Sequence, residues 1–346
     1  MIEKIKIKSR EKGFSLIEIL VASAIGMVIL YETFSFFVHQ QNVFRQQTEQ
    51  AEKQANLRIA LYYLSKDIAN AGYTGTPWGV ELALYSMHKK GVSFDSIPVR
   101  SVKPISYSDL AETAPVNQNG QPLDAIEIWG NFSRSDPNYT HLVNSASAKV
   151  TNIIYANTVD GLFAFKVWDE ATNTQKDVYP TGMVIGSFYG KGDYLAISSV
   201  DVLAKTVSSS DAVVNDYAGN IDEVAPVLKR VYFVREETDT VIPSIKQRWL
   251  VRRDYYFGQT LDHRLASGIQ DFQILYDAYD PATGAFAMDI DPSVTAIADP
   301  CLITAVNIRL QAMVQTKDMK VPMLTTLSRK VKLMNHDQYS QFTGCQ

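Results

Sequence analysis

The sequence is short of the residues that build most catalytic and metal sites. Only two of its 346 residues are cysteine, and its five histidines are scattered, without the H-x-x-H or H-E-x-x-H spacing of a zinc site. No stretch fits the G-x-S-x-G nucleophile motif or the phosphate-binding P-loop. These absences argue against an enzyme, so we expect no catalytic residue, no cofactor and no bound metal.

Positive charge is also scarce outside the first few residues. The formal net charge is −4, and the first thirteen residues hold five basic and two acidic side chains, so the rest of the chain carries −7. Nucleic-acid binding depends on neutralising phosphates with Lys and Arg, and an acidic body is poorly suited to it. We interpret the short basic pairs 89–90, 229–230 and 252–253 as parts of a mixed polar surface.

One long apolar run is present, near the N-terminus, and it contains a carboxylate. Residues 12–30 read KGFSLIEILVASAIGMVIL, and residues 14–38 as a helix would be about 37 Å long, enough to cross a bilayer. The basic residues before the run predict that the N-terminus stays in the cytoplasm. A charge at the bilayer centre costs roughly 2.5–3.5 kcal/mol, so Glu18 is expected to have a function.

Three interpretations fit this outline. The first is a removed secretory signal peptide, for which residues 22–24 (Ala-Ser-Ala) offer a cleavage site. The second is a plain membrane anchor over residues 14–38, which explains the length of the run but not Glu18 or Gly13. The third is a specialised leader in which Gly13, the following Phe14 and Glu18 each have a role.

The stretch Gly13-Phe14-Ser15-Leu16-Ile17-Glu18 resembles the class III leader of type IV pilins and pseudopilins. The resemblance implies that a prepilin peptidase cuts after Gly13 and that the new N-terminal amine of Phe14 is methylated. It also implies that the Glu18 carboxylate meets the N-terminal amine of a neighbouring subunit during assembly. The charge would then favour one axial register between packed subunits.

The helix is predicted to continue beyond the membrane. Residues 40–70 contain no Gly or Pro, and one apolar stripe recurs at helical spacing, with Gly72 placed as a C-terminal cap. We therefore divide the chain into a leader (1–13), a membrane or fibre-core helix (14–38), an amphipathic continuation (39–72) and a body (73–346). The stripe consists of Leu57, Leu61, Leu64, Ile68 and Ala71.

The body reads as short strands separated by turns. Several segments alternate apolar and polar residues, as half-buried antiparallel strands do. The predicted fold class is α+β, a long N-terminal helix packed on a large, mainly antiparallel sheet. The candidate strands are 125–132, 162–168, 193–200, 227–235, 247–256, 269–279, 303–315 and 327–334.

Two later segments, one at the end of the helix and one in the body, resemble PilW-type minor pilins. Residues 58–75 (RIALYYLSKDIANAGYTG) resemble the family's R-x-A-L-x-x-L-x-x-D-I-x-x-A-G-Y segment, and residues 265–280 (LASGIQDFQILYDAYD) resemble its late strand. In this resemblance Asp67 lies near a helix C-terminus, where the helix dipole disfavours a carboxylate, so a nearby cation or backbone donor is expected.

The resemblance implies a minor pilin of a type IV pilus that primes or caps the fibre at its tip and supports adhesion, twitching motility or DNA uptake. The implied partners are the prepilin peptidase, other minor pilins, the major pilin, the inner-membrane assembly platform and a large tip adhesin. The chain would sit in the inner membrane, with its body in the periplasm, before it enters the extracellular fibre. A GspJ-like pseudopilin of a type II secretion system and a secreted binding protein with an ordinary signal peptide are the alternatives.

Two smaller hypotheses concern the C-terminal part. If the body is exported, the simplest interpretation of Cys301 and Cys345 is one disulfide, whose loop of about 45 residues would stabilise the fold by roughly 4 kcal/mol. Four carboxylates, Asp277, Asp280, Asp289 and Asp291, could supply oxygen ligands to Ca²⁺. Their spacing is not that of an EF-hand, so we interpret residues 280–284 as a solvated hairpin turn.

Overall fold

The computed structural model describes most of the chain after the leader. The described residues are 14–73, 83, 86–87, 89–92, 100–132, 140–141, 152–154, 165–169, 173–187, 191–201, 203–218, 222–238, 246–280, 285–295, 303–314 and 323–333. The chain divides into two compact units, residues 1–52 with 315–321 and residues 53–314 with 322–346.

The N-terminal region forms one continuous helix, α1 (Leu16–Ala69), of 54 residues. At 1.5 Å per residue it is about 80 Å long. Gly72 follows with φ of 76°, the left-handed conformation that terminates helices, and its N–H donates to the Trp129 carbonyl at 2.7 Å. The predicted helical segments, 14–38 and 39–72, are therefore one helix whose ends differ from the prediction by two and three residues, and Gly72 lies just after its end.

After α1 the described residues include helical positions at Ala83, Ser86, Met87 and Lys89 and one short 3₁₀ helix (Tyr107–Leu110), and the other regular structure is β. The strands are β1 (Val102–Pro104), β2 (Ile126–Gly130), β3 (Thr140–His141), β4 (Asn152–Ile154), β5 (Phe165–Asp169), β6 (Thr174–Val178), β7 (Gly182–Ser187), β8 (Lys191–Asp201), β9 (Thr206–Ser209), β10 (Glu223–Thr238), β11 (Lys246–Tyr256), β12 (Gln259–Ser267), β13 (Ile269–Asp280), β14 (Ala285–Ile290), β15 (Ile303–Val314) and β16 (Met323–Lys332).

Strand pairing within the described residues is antiparallel throughout. A ten-stranded sheet runs in the order β1-β2-β10-β7-β8-β9-β4, with β3 and β11 also paired to β10 and β12 paired to β11. A four-stranded sheet has the order β14-β13-β15-β16, and β5 and β6 form a separate ribbon. Gly268 is the single residue between β12 of the large sheet and β13 of the small one.

The main core lies where the second part of α1 meets both sheets. Leu57, Leu64 and Ile68 are buried on the helix, and they pack in one cluster with Ile128 of β2 and Phe272 of β13. Burying an apolar side chain of this size contributes about 1.5–3 kcal/mol, so the stripe fixes the helix to the sheets. The predicted α+β fold class is confirmed.

Candidate functional site

The helix begins with a capping box built from Ser15 and Glu18. The backbone N–H of Ser15 donates to Oε2 of Glu18 at 2.9 Å, and the N–H of Ile17 donates to Oγ of Ser15 at 3.3 Å. Each side chain satisfies a backbone donor at the start of the helix, as in an S-x-x-E motif, although Ser15 accepts from Ile17 and not from Glu18, whose N–H donates to the Ser15 carbonyl. We did not predict this box, although the four letters S-L-I-E contain its signature.

This box gives Glu18 a local role in addition to the predicted one. Because its carboxylate accepts a backbone hydrogen bond and lies in the first turn, where the helix dipole is positive, the charge is stabilised within its own chain. Glu18 is nevertheless exposed, and Phe14, one residue before the cap, is 83% exposed. Gly13 lies outside the described residues.

The apolar part of α1 is exposed on every side. The large apolar side chains between Phe14 and Val38 are 41–83% exposed, and the helix is long and apolar enough to cross a membrane. A helix that is apolar all round requires either lipid or other helices around it. A signal sequence near the N-terminus would meet the same test of length and composition.

Two hydroxyl groups on this part of the helix bond to carbonyls of the helix itself. Oγ of Ser23 donates to the Leu20 carbonyl at 2.9 Å, and Oγ1 of Thr33 donates to the Ile29 carbonyl at 2.7 Å. In a hydrocarbon environment an unsatisfied polar group costs several kcal/mol. These bonds lower the cost of placing Ser23 and Thr33 in lipid or in a dry helix bundle.

Asp67 lies near the C-terminal end of α1, and the structure identifies the hydrogen-bonding and charged partners that were expected for it. Nη1 of Arg230 lies 3.0 Å from both carboxylate oxygens, and the Tyr232 hydroxyl donates to Oδ2 at 2.6 Å. Asp67 is buried, and Arg230 also pairs with Asp254 at 3.1 Å. The expected cation is therefore present, on strand β10, and it joins the helix end to the large sheet.

The basic pairs on β10 and β11 lie in networks with carboxylates. Lys229 contacts Glu127 at 2.6 Å, and Arg252 contacts Asp254 at 3.0 Å. Arg253 bonds to Asp262 at 2.8 Å. These positions are occupied by internal ion pairs, as a mixed polar surface requires.

The carboxylates considered for Ca²⁺ are engaged separately by their own chain. Asp277 accepts the backbone N–H of Asp289 and pairs with Lys330, Asp289 accepts from Asn307, and Asp291 accepts from Ser293. No group of three or more His, Cys, Asp or Glu residues with metal-binding geometry occurs in the part of the chain that the structure describes. Strands β13 and β14 are antiparallel neighbours with Asp280 opposite Ala285, and residues 281–284 of the predicted turn lie outside the described residues.

Cys301 and Cys345 both lie outside the described residues. Their pairing stays a prediction.

Comparison with known proteins finds a family match for one segment of this chain. Residues 8–30 match the family described as the prokaryotic N-terminal methylation motif. No match was found among curated proteins or among solved structures. The match contains Gly13, Phe14 and Glu18, and it supports a type IV pilin- or pseudopilin-like protein that is processed by a prepilin peptidase.

Proposed function

We propose that this protein is a minor pilin of a type IV pilus, of the PilW type, cleaved after Gly13 and methylated at Phe14. The observation that carries the proposal is the methylation motif over residues 8–30, located at the start of a helix whose apolar surface is exposed all round. Such a helix is suited to insertion in the inner membrane and later packing among the helices of a fibre. The subunit would prime or cap the fibre at its tip and support adhesion, twitching motility or DNA uptake.

The partners in this proposal follow from the order of events. The prepilin peptidase acts first, in the membrane, and the assembly platform then brings the processed chain to other minor pilins and the major pilin. A tip adhesin is the partner proposed for the body. No catalytic role, cofactor, metal or nucleic-acid partner is part of the proposal.

The role of Glu18 is tested by two substitutions that separate its charge from its cap. Glu18→Gln keeps an oxygen acceptor for the Ser15 N–H but removes the charge, whereas Glu18→Val removes both. If the charge pairs with a neighbouring amine, both variants are processed and methylated normally, and both fail to enter the fibre. Processing is measured from the mass of the mature protein, and incorporation from sheared fibres.

Normal incorporation of Glu18→Gln beside failure of Glu18→Val would contradict the charge pairing and leave only the cap. Ser15→Ala is the matched control, because it removes the other half of the box and leaves the charge in place. We expect a loss of about 1 kcal/mol in helix stability and near-normal incorporation of this control.

The pseudopilin of a type II secretion system shares the leader, the helix and Glu18, and the same observations support it. Deleting the gene distinguishes the two functions. Loss of pili with normal protein secretion supports the minor pilin, whereas loss of secreted enzymes with intact pili supports the pseudopilin. A mature chain that starts at Ile25 would instead indicate an ordinary signal peptide and contradict both.

A further inference from the structure

The separate ribbon of β5 and β6 has one face that packs on the body and one that does not. On the inner face, Phe165 and Val167 join a small core with Tyr256 of β11. The turn after β11 adds a second anchor, because the N–H of Phe257 donates to the Tyr179 carbonyl, just after β6, at 2.8 Å. Side chains alternate between the faces along a strand, so the residues between these anchors form an outer face turned to solvent.

The outer face of the ribbon carries four side chains, all exposed. Lys166 and Trp168 lie two residues apart on β5, and Asp177 and Gln175 lie directly opposite them on β6. Trp168 is 55% exposed, and among the described residues none of the four side chains has a hydrogen bond, an ion pair or a ring contact. An exposed indole with a free N–H is an apolar surface with a polar edge, the kind of group that contacts a ligand.

The size of the outer face fits a small ligand. Five residues of a strand extend about 17 Å and paired strands lie about 4.8 Å apart, so the face covers roughly 150–200 Å². A specific protein partner normally buries about 800 Å² on each side. The ribbon is therefore better matched to a small molecule, or to one unit of a longer chain of units, than to a folded protein.

The composition of the outer face argues against nucleic acid and against lipid. Lys166 and Asp177 cancel in charge, and phosphate binding depends on Lys and Arg that are not compensated. A lipid surface requires several apolar side chains together, whereas the neighbours of Trp168 on this face are an amide, a carboxylate and an ammonium group. These groups favour a neutral ligand that has both an apolar surface and hydrogen-bonding groups.

We propose that this outer face binds a sugar, with the indole ring of Trp168 stacked on the C–H face of a pyranose. A pyranose has an apolar C–H face bordered by hydroxyl groups, each of which can donate and accept a hydrogen bond. The Gln175 amide donates and accepts, the Asp177 carboxylate accepts, and the Lys166 ammonium donates. Opposite side chains start about 5 Å apart and the next pair lies about 7 Å along the ribbon, so all four can reach one hexose.

The test is saturation-transfer NMR on the purified full-length chain, in micelles of a detergent without a sugar headgroup. The probes are the methyl glycosides of glucose, galactose, mannose and N-acetylglucosamine, each titrated separately. We expect at least one of them to bind, with the strongest transfer to the C–H protons of one ring face. This inference goes beyond the proposed function and does not depend on it, because the measurement requires neither processing nor fibre formation.

Three substitutions provide the comparison. Trp168→Ala removes the stacking surface and should weaken binding at least tenfold, and Gln175→Ala removes one hydrogen-bonding group and should weaken it roughly fivefold. The matched control is Phe286→Ala on β14, which removes a ring of similar exposure, 62%, and should leave the affinity unchanged. The melting temperatures of all three variants should stay near the wild-type value, which separates loss of binding from loss of the fold.

A single-stranded oligonucleotide and vesicles of anionic lipid serve as comparison probes for the same ribbon. The proposal is overturned if none of the four glycosides binds, or if Trp168→Ala and Phe286→Ala have equal effects on their binding. It is also overturned if Trp168→Ala leaves sugar binding intact and weakens only the binding of the oligonucleotide or the vesicles.

Discussion

Asp124 is a residue whose ionisation should oppose the fold. It stands just before β2, its Oδ2 accepts the backbone N–H of Ile274 at 2.7 Å, and its own N–H donates to the Phe272 carbonyl at 3.0 Å. Burial raises the pKa of its carboxyl to about 6, and the nearby Asp291 and Asp271 raise that pKa further against the lowering effect of the Ile274 bond. The folded state therefore binds more protons than the unfolded state between about pH 4 and pH 6.

We therefore predict that Asp124→Asn increases the free energy of unfolding, relative to wild type, by more at pH 7 than at pH 4. The raised pKa stabilises the fold below the unfolded pKa, and this contribution, about 3 kcal/mol, is lost as the pH rises through 6. Asn keeps the acceptor for Ile274. Denaturant unfolding at both pH values measures the difference, with the exposed Asp109→Asn as the control. A variant that follows the wild-type pH dependence would contradict the prediction.

For Asp67, the sequence predicts the need for a compensating partner but not which residue supplies it. Its position near the C-terminal end of α1 was enough to predict that it needs a compensating group. The partner could not be named, because Arg230 is 163 residues away and reaches it only once β10 has packed against the helix. Local patterns predict the need for a charge, and long-range packing decides which residue meets it.

We predict that Asp67→Asn lowers the free energy of unfolding by about 3 kcal/mol, because it leaves the buried Arg230 with Asp254 as its remaining carboxylate. The melting temperature should fall by roughly 6–12 °C. The control is Asp177→Asn on β6, where the aspartate is exposed and a change within about 0.5 kcal/mol is expected. Equal effects of the two substitutions would mean that the ion pair does not anchor the helix.

Among the elements, eight of the sixteen described strands were predicted, and apolar content does not separate these from the missed strands, because β7 (GMVIGS) is buried at every residue and was not predicted. The eight candidate strands correspond to β2, β5, β8, β10, β11, β13, β15 and β16, with ends that differ by a few residues. Strand β12 (QTLDHRLAS) was missed because most of its residues are polar, and β14 because AFAMDI has no alternation. Both are edge strands, whose pairing is set by the neighbouring strand more than by their own sequence.

Gly268 is an element-scale feature because it joins the two sheets. Its φ is 78°, its N–H donates to the Arg248 carbonyl at 2.7 Å, and its carbonyl accepts from Met313 at 3.0 Å. A Cβ at this position would lie 3.1 Å from the Met313 carbonyl oxygen and 3.1 Å from Nζ of Lys53. The lysine can move away, but the backbone carbonyl cannot.

We predict that Gly268→Ala destabilises the protein more than Gly258→Ala. Gly258 has a φ of 74° but open space around it, so alanine there costs only the left-handed backbone, about 1–2 kcal/mol. At Gly268 the backbone contact adds a further loss of about 1 kcal/mol or more. The midpoints of denaturant unfolding of the two variants give the comparison. Equal midpoints would show that the contact with Met313 relaxes without cost.

At the scale of the whole molecule, the proposed function depends on the leader, and the fold of the body does not explain that segment. The fold class and the extent of α1 could be predicted because they rest on periodicity, which is local. The pairing of β10 with β2 could not, because it joins residues more than 90 positions apart in the chain, such as Leu228 and Gly130. The leader carries the functional signal, and it is a short motif that processing enzymes recognise in sequence.

The proposed export of the body across the membrane leads to a prediction about the two cysteines of the chain. If the body reaches an oxidising compartment, Cys301 and Cys345 should form one disulfide, closing a loop of about 45 residues. Closing such a loop restricts the unfolded chain and should stabilise the fold by roughly 4 kcal/mol.

A maleimide reagent should label neither cysteine in unfolded protein from the cell envelope, and both after reduction. The same protein retained in the cytoplasm should be labelled at both without reduction, and the double variant Cys301→Ser, Cys345→Ser should unfold equally with and without reductant. Two reactive thiols in the exported protein would exclude the bridge.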